Sequence, residues 1–255
     1  MTASSRKYFV VIGCSVLDRE LSQAASLSPH KIEKHILSKG LHDIGCVNMR
    51  MRLQEAIDAH SHSSCDAVLL GYALCNLGIA ELKAPDHCPL VVTRAHDCIT
   101  LFMGSRQRYA DYFAKNPGTY FLTPGWVEHG EETGELRQIT LQTRMGMNDS
   151  YEELVAKYGE DNAQYLWEEL HQTMQHYSAV AYIDTGVAPP EQFEPEAQQR
   201  ARSKGWKYDR LQGDLRLLQA LLAGEWKEED FLVVPPGQTI QATYDDSLVR
   251  VRPPA

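Results

Sequence analysis

Apolar residues in this chain gather into short unbroken runs, and those runs set the expected architecture. The first is YFVVIG at Tyr8–Gly13. After it come AVLL at Ala67–Leu70, PLVV at Pro89–Val92, TYFL at Thr119–Leu122, SAVAYI at Ser178–Ile183 and FLVV at Phe231–Val234. Within most of them branched or aromatic side chains stand side by side. A strand covered on both faces, as in a parallel sheet, reads this way, whereas a half-solvated strand alternates apolar with polar.

The segments between the runs predict helices. Asp18–Leu27 reads as a short one. His30–Leu41 places Ile32, Ile36 and Leu41 near helical spacing, with Gly40 as a stop; the alternative is an irregular crossover with a short strand near Asp43–Met49. Arg52–Ala59 is a further helix. Ile99–Ala114 reads as a helix interrupted or begun near Gly104 and closed by Asn116-Pro117-Gly118. Tyr151–Met174 predicts two helices split near Gly159, and Pro189–Ser203 an acidic, Gln-rich one. In Lys207–Leu222 the leucines 211, 215, 218 and 222 form an amphipathic stripe. The polar tail 239–255 is either an edge strand or loose.

Strands alternating with helices imply one α/β domain over residues 1–255. The expectation is a three-layer, Rossmann-like, mostly parallel sheet of about six strands with helices on both faces. The crossover from the Tyr8 run to the Ala67 run is long enough to hold an additional β-α unit.

Three of the runs lead into cysteine: Cys14 directly after the first, Cys75 after the second, and His96, Asp97 and Cys98 after the third. Ligands of open parallel sheets bind at the carboxyl ends of neighbouring strands. Cys14, Cys75 and Cys98 are therefore read as one metal site, thiolate and imidazole being the usual donors to zinc and thiolate to iron–sulfur clusters. Each cysteine alone reads equally as core, and joint placement after three buried runs is what separates the set from that reading. His96 is a fourth ligand, an acid/base, or a partner of Asp97. Trp126, in the turn after the fourth run, would wall a pocket in which Glu128 titrates. Asp184 would reach the same edge from the fifth run.

The remaining cysteines, Cys46, Cys65 and Cys88, precede strands or lie in loops and read as structural. His30, His35, His42, His60, His62 and His87 match no metalloprotease-type pattern and read as solvated. There is no CxxC pair, so any metal site is assembled by the fold. Neither GxGxxG nor GxxxxGK[ST] occurs, which weakens nicotinamide, flavin and P-loop readings.

Composition narrows the partners. A formal charge of −9 over 255 residues disfavours nucleic acid and anionic membrane surfaces. The first apolar run is too short for a signal-peptide core, and no run approaches a membrane span, so the expected location is cytoplasmic and the expected partner a small molecule.

The stretches IGCSVLDREL, GYALCNLGI, PLVVTRAHDCITLFMGSRQRY, PGTYFLTPGWVE, GDLRLLQALLAGEW and FLVVPPGQ resemble the domain-of-unknown-function 1638 family over roughly Tyr8–Gln238. The family has no settled activity. The resemblance implies that Cys14, Cys75, His96 and Cys98 fall on its motif positions. It also implies company with corrinoid-dependent methyltransferase systems, an association of gene neighbours.

The resulting expectation is a metal-dependent enzyme holding zinc or a [4Fe–4S] cluster on three cysteines, in methyl, one-carbon or thiol metabolism. Two rivals stand beside it: a non-catalytic metal- or corrinoid-handling accessory protein, and a metal-free enzyme with Cys98 as nucleophile and His96 as base.

Overall fold

The computed structural model describes residues 6–75, 77–129, 151–160, 162–164 and 176–253. Strand β1 (Tyr8–Cys14) buries Phe9, Val10, Val11 and Ile12 completely, as the unbroken apolar run requires. A 3-10 turn at Ser15–Leu17 leads into helix α1 (Asp18–Leu27). Strand β2 (Lys31–Leu37) and helix α2 (Cys46–His60) then supply the β-α unit expected in the long crossover. Strands β3 (Ala67–Gly71) and β4 (Leu90–Thr93) come next, each buried throughout.

These strands form a five-stranded sheet in the order β2-β1-β3-β4-β8, with β8 at Phe231–Val234. The first four run parallel and β8 pairs antiparallel to β4. Gly13 and Gly71 lie opposite each other in the ladder, and Leu21 of α1 fills the notch above them. A methyl added at Gly13 would overlap the Leu21 side chain, so the two glycines let the helix sit close on the sheet.

The segment His30–Leu41, expected to be a helix, is largely strand β2. Ile32 and Ile36 are four apart, a spacing that suits one face of a strand as well as one face of a helix. Lys34, on the same face as both, reaches back to the Asp18 carboxylate, so an edge strand accommodates the charged residues. The alternative strand near Asp43–Met49 is instead a 3-10 turn (Lys39–Ile44) and the start of α2.

Past β4 the chain makes helices α3 (Cys98–Met103) and α4 (Arg106–Lys115), separated at the left-handed Gly104. Strand β5 (Thr119–Leu122) leads into the short helix α5 (Pro124–Glu128), and α6 spans Tyr151–Tyr158. The second helix expected within Tyr151–Met174 lies largely outside the described residues. Strand β6 (Ala179–Asp184), helix α7 (Pro190–Lys204) and strand β7 (Lys207–Gln212) come next. Strands β5, β6 and β7 form a separate parallel sheet in that order. The single sheet of about six strands is thereby corrected to five strands plus three. Two of the apolar runs, β5 and β6, pair with each other, and β6 with β7, instead of extending the first sheet. Phe193, Ala197 and Ala201 of α7 pack on Leu122, Val180 and Tyr182 to give this sheet its own core.

Lys207–Leu222 is likewise not one helix. Its first part is β7, and helix α8 covers Arg216–Ala223 only. Gly213 and Asp214 form the break: the Gly213 amide donates to the Asp184 carbonyl and the Asp214 amide to that of Phe102. The tail is docked through a hairpin of β9 (Ile240–Ala242) and β10 (Val249–Val251), and the Arg94 guanidinium donates to the carbonyls of Ser247 and Val249. No described helix is long and apolar enough to cross a membrane.

Glu20 of α1 joins the two sheets. It is fully buried; its Oε1 accepts from Thr185 at 2.8 Å, while Oε2 has no partner among the described residues. Burial is the main cause that pushes this carboxyl up to about 7, against 4.5 for an ordinary glutamate. Between those two pH values the folded protein keeps a proton that the unfolded chain loses, so stability falls as pH rises through this window. Glu20→Gln keeps the acceptor for Thr185 and removes the ionisation. Urea unfolding at pH 8 should show the variant more stable by about 2 kcal/mol, with the difference shrinking below about 0.5 kcal/mol at pH 4. An unchanged difference across that range would contradict a buried, protonated Glu20.

Candidate functional site

Because β1, β3 and β4 are consecutive and parallel, their carboxyl ends share one edge. Cys14 is the last residue of β1 and is 2 % exposed. Cys75 stands four residues beyond β3, in a loop zipped to the one after β4: the Leu74 amide donates to the Ala95 carbonyl and the Cys75 amide to that of His96, both at 2.9 Å. Cys75 has φ of 41°, in the left-handed region that a residue with a side chain occupies only at a cost of order 1–3 kcal/mol. Cys98 is the first residue of α3, and Asp97 caps that helix by accepting from the amides of Ile99 (3.0 Å) and Thr100 (3.4 Å).

Burial chiefly raises the Cys98 thiol well above its ordinary range, with Cys75, Asp97 and Cys14 contributing in that order. Burial likewise pushes Cys75 up to about 12, with Cys14 and Asp97 contributing. Tyr72, 1 % exposed just after β3, has no nitrogen or oxygen partner for its hydroxyl among the described residues and faces Cys14 and Cys75.

Two further groups complete the rim. His42, on the 3-10 turn after β2, brings Nε2 to 3.5 Å from Cys14 Sγ and tilts its ring toward Tyr72. Burial, helped by the Lys39 charge, lowers its pKa to about 4, which leaves the imidazole neutral at physiological pH. Trp126 of α5 stands next to Cys98, and its buried indole N–H has no hydrogen-bond partner among the described residues. Lys39 Nζ lies 5.3 Å above the same indole ring and 3.7 Å from Asp43. His42 is half-buried against Cys14 and not simply solvated, a correction that no sequence signal anticipates, since one histidine in a loop does not say where the loop folds.

The other expected site residues have different occupations. His96 is exposed, and its described contribution to the edge is the backbone carbonyl that holds Cys75. Asp97 is both a helix cap and the acceptor of the Tyr109 hydroxyl at 3.1 Å. Glu128 is taken up by Arg19, whose Nε donates at 2.8 Å and whose charge holds the carboxyl below its usual range. Asp184 belongs to the three-stranded sheet, where it accepts from Arg210 at 2.6 Å and from the Gly186 amide at 2.9 Å. Both carboxylates are engaged in tying elements together.

At the opposite edge, Cys65 precedes β3 and Cys88 precedes β4. Among the described residues, Cys65, His87 and Cys88 are the one group of at least three His, Cys, Asp or Glu side chains whose donor atoms all lie within 4.8 Å of one another. This group could hold a metal ion. The pattern along the chain assigns these three to structural or solvated roles, because they are separated in sequence and no CxxC pair marks them. None of the six cysteines is in a disulfide.

Fold and sites together define a mixed α/β protein with thiols gathered at both ends of a largely parallel sheet. The model of the family described as protein of unknown function (DUF1638) matches residues 36–222, and the chain belongs to that family. The matched stretch includes Cys65, Cys75, His87, Cys88, Cys98 and Trp126 and begins after Cys14. No curated protein and no solved structure matches the chain.

Gly125 seats Trp126. A methyl at this position would overlap the Val16 carbonyl in the turn after Cys14. Gly125→Ala must push α5 off that turn, and urea unfolding should show a loss of about 1–3 kcal/mol. A loss under about 0.3 kcal/mol would contradict the close approach of α5 to the Cys14 turn.

Proposed function

We propose that this protein is a metal-dependent enzyme acting on a small molecule at Cys14, Cys75 and Cys98, which hold an iron–sulfur cluster of the [4Fe–4S] type. What supports the reading is that the three cysteines stand at or just beyond the carboxyl ends of three neighbouring parallel strands. Sulfurs held about 2.3 Å from one tetrahedral ion stand about 3.8 Å apart. These three are not part of any described group within 4.8 Å. A cluster whose irons each take one thiolate suits that wider spacing better than a single zinc ion.

Three protein ligands leave one iron of such a cluster open, and an open iron supplies Lewis-acid chemistry to a bound oxygen or nitrogen. The chain's own groups shape the place around it. Neutral His42 can accept a proton beside Cys14. Trp126 stands beside Cys98 with its indole N–H unpartnered among the described residues, and Tyr72 is buried next to Cys14 and Cys75. His96, exposed next to Asp97, is the acid/base group with access to solvent. The gene neighbours of the family extend this reading toward methyl, one-carbon or thiol metabolism and corrinoid methyltransferase systems.

Protein purified without oxygen should be brown, with visible sulfur-to-iron absorption and matching iron and acid-labile sulfide. Cys14→Ser, Cys75→Ser and Cys98→Ser should each lower the iron content at least about fivefold while the far-ultraviolet dichroism is kept. Colourless protein with zinc bound by the same three cysteines would replace the cluster. Metal-free protein whose activity dies with Cys98→Ser alone would sink the metal reading.

A further inference from the structure

We infer that Cys65, Cys88 and His87 form a second metal site, separate from the three-cysteine edge, for one borderline-soft divalent cation of the zinc class. The donor geometry carries the inference. Cys65 Sγ lies 3.4 Å from Cys88 Sγ and 3.7 Å from His87 Nε2. Around a tetrahedral zinc, with bonds of about 2.3 Å to sulfur and about 2.05 Å to nitrogen, the sulfur–sulfur edge is about 3.8 Å and the sulfur–nitrogen edge about 3.6 Å. Both observed separations are within a few tenths of an ångström of those edges, so an ion needs only small side-chain shifts to enter.

The backbone fixes the two sulfurs. Cys65 and Cys88 stand two residues ahead of the first residues of β3 and β4, and the Val68 amide donates to the Pro89 carbonyl at 3.0 Å. Both cysteines are buried, at 5 % and 2 % exposed, whereas His87 is exposed and forms the outer wall. Soft thiolates inside with an imidazole on the solvent side make a site that an ion reaches from the surface. Three donors leave the fourth position to water.

His87 Nε2 lies 2.8 Å from the His62 carbonyl. A carbonyl only accepts, so Nε2 carries the proton without metal, and coordination there moves that proton to Nδ1 and breaks the contact. The ion would bind the turn His62–Cys65 and the loop 87–89 through one centre, clipping together the starts of two core strands. Strand β3 alone separates this site from the Cys75 edge by roughly 13 Å at about 3.3 Å per residue, too far for one ion to serve both.

Cobalt(II) added to reduced, metal-free full-length protein tests the site, because tetrahedral thiolate cobalt has visible and near-ultraviolet bands. With Cys14, Cys75 and Cys98 all changed to serine, one equivalent of cobalt should still bind with two-thiolate absorption, and zinc should displace it. In that background Cys65→Ser with Cys88→Ser should abolish the bands. His87→Ala, at an exposed position, should weaken binding at least about tenfold and leave the sulfur band in place. Equal cobalt affinity with and without His87, or no thiolate band in the triple-serine protein, would overturn the site. Formation of a Cys65–Cys88 disulfide in air, with no cobalt bound after reduction, would overturn it in favour of a redox pair. The iron–sulfur proposal fails separately, by loss of iron dependence on Cys14, Cys75 and Cys98.

Discussion

Parallel pairing of three strands buried on both faces is the constraint that produces both thiol-rich edges. Phe9 through Gly13 pair with Ala67 through Gly71, and Val68 through Leu70 with Leu90 through Val92. Because all three strands point the same way, the residues after each strand arrive at one side and the residues before it at the other. Fully burying one such Val, Leu, Ile or Phe contributes about 1.5–3 kcal/mol, and a slip by one residue would turn every side chain to the wrong face. The apolar side chains therefore fix the register, and the register fixes where the sulfurs meet.

The second sheet completes the edge that the first begins. Its strand β5 delivers α5, and α5 rests on the turn after Cys14 through Gly125 and on α1 through the Arg19–Glu128 pair. Glu20 and Thr185 add a buried contact between α1 and the end of β6. These contacts hold the two sheets in one arrangement, with Trp126 beside Cys98. Glu128 and Asp184, which look like chemistry from their positions after strands, serve this assembly. A carboxylate after a strand says where it is along the chain but not which cation will claim it.

The sequence is readable where one pattern has one structural meaning. Unbroken apolar runs four to six residues long become β1, β3, β4, β5, β6 and β8 with ends displaced by a residue or so. It misleads where two periods coincide. Ile32 and Ile36 satisfy both strand and helix, and the edge strand wins because Lys34, between them, has Asp18 to pair with. The leucines of Lys207–Leu222 keep helical spacing across Gly213, yet Leu211 belongs to β7 and Leu215 precedes α8. Which sheet a strand joins has no local signature, so β5 and β6 cannot be told from strands of the first sheet by their residues. That Cys14, Cys75 and Cys98 each close or follow a strand is legible from the apolar runs before them. His42 and the Cys65–His87–Cys88 group are not, since their meeting depends on loops whose path is set by the strand order.

The two edges also differ in a way that bears on their chemistry. At the amino-terminal edge the cysteines lie within two residues of the strands they precede, so sheet spacing, about 4.8 Å between neighbouring strands, sets their separation and brings the sulfurs close. At the carboxyl-terminal edge Cys75 is carried out on a loop, zipped to the next loop by two amide bonds and held at a positive φ. A narrow pair fits a single ion that holds two strands together. The pairing of β3 with β4 keeps the two ends apart and the strand directions aligned.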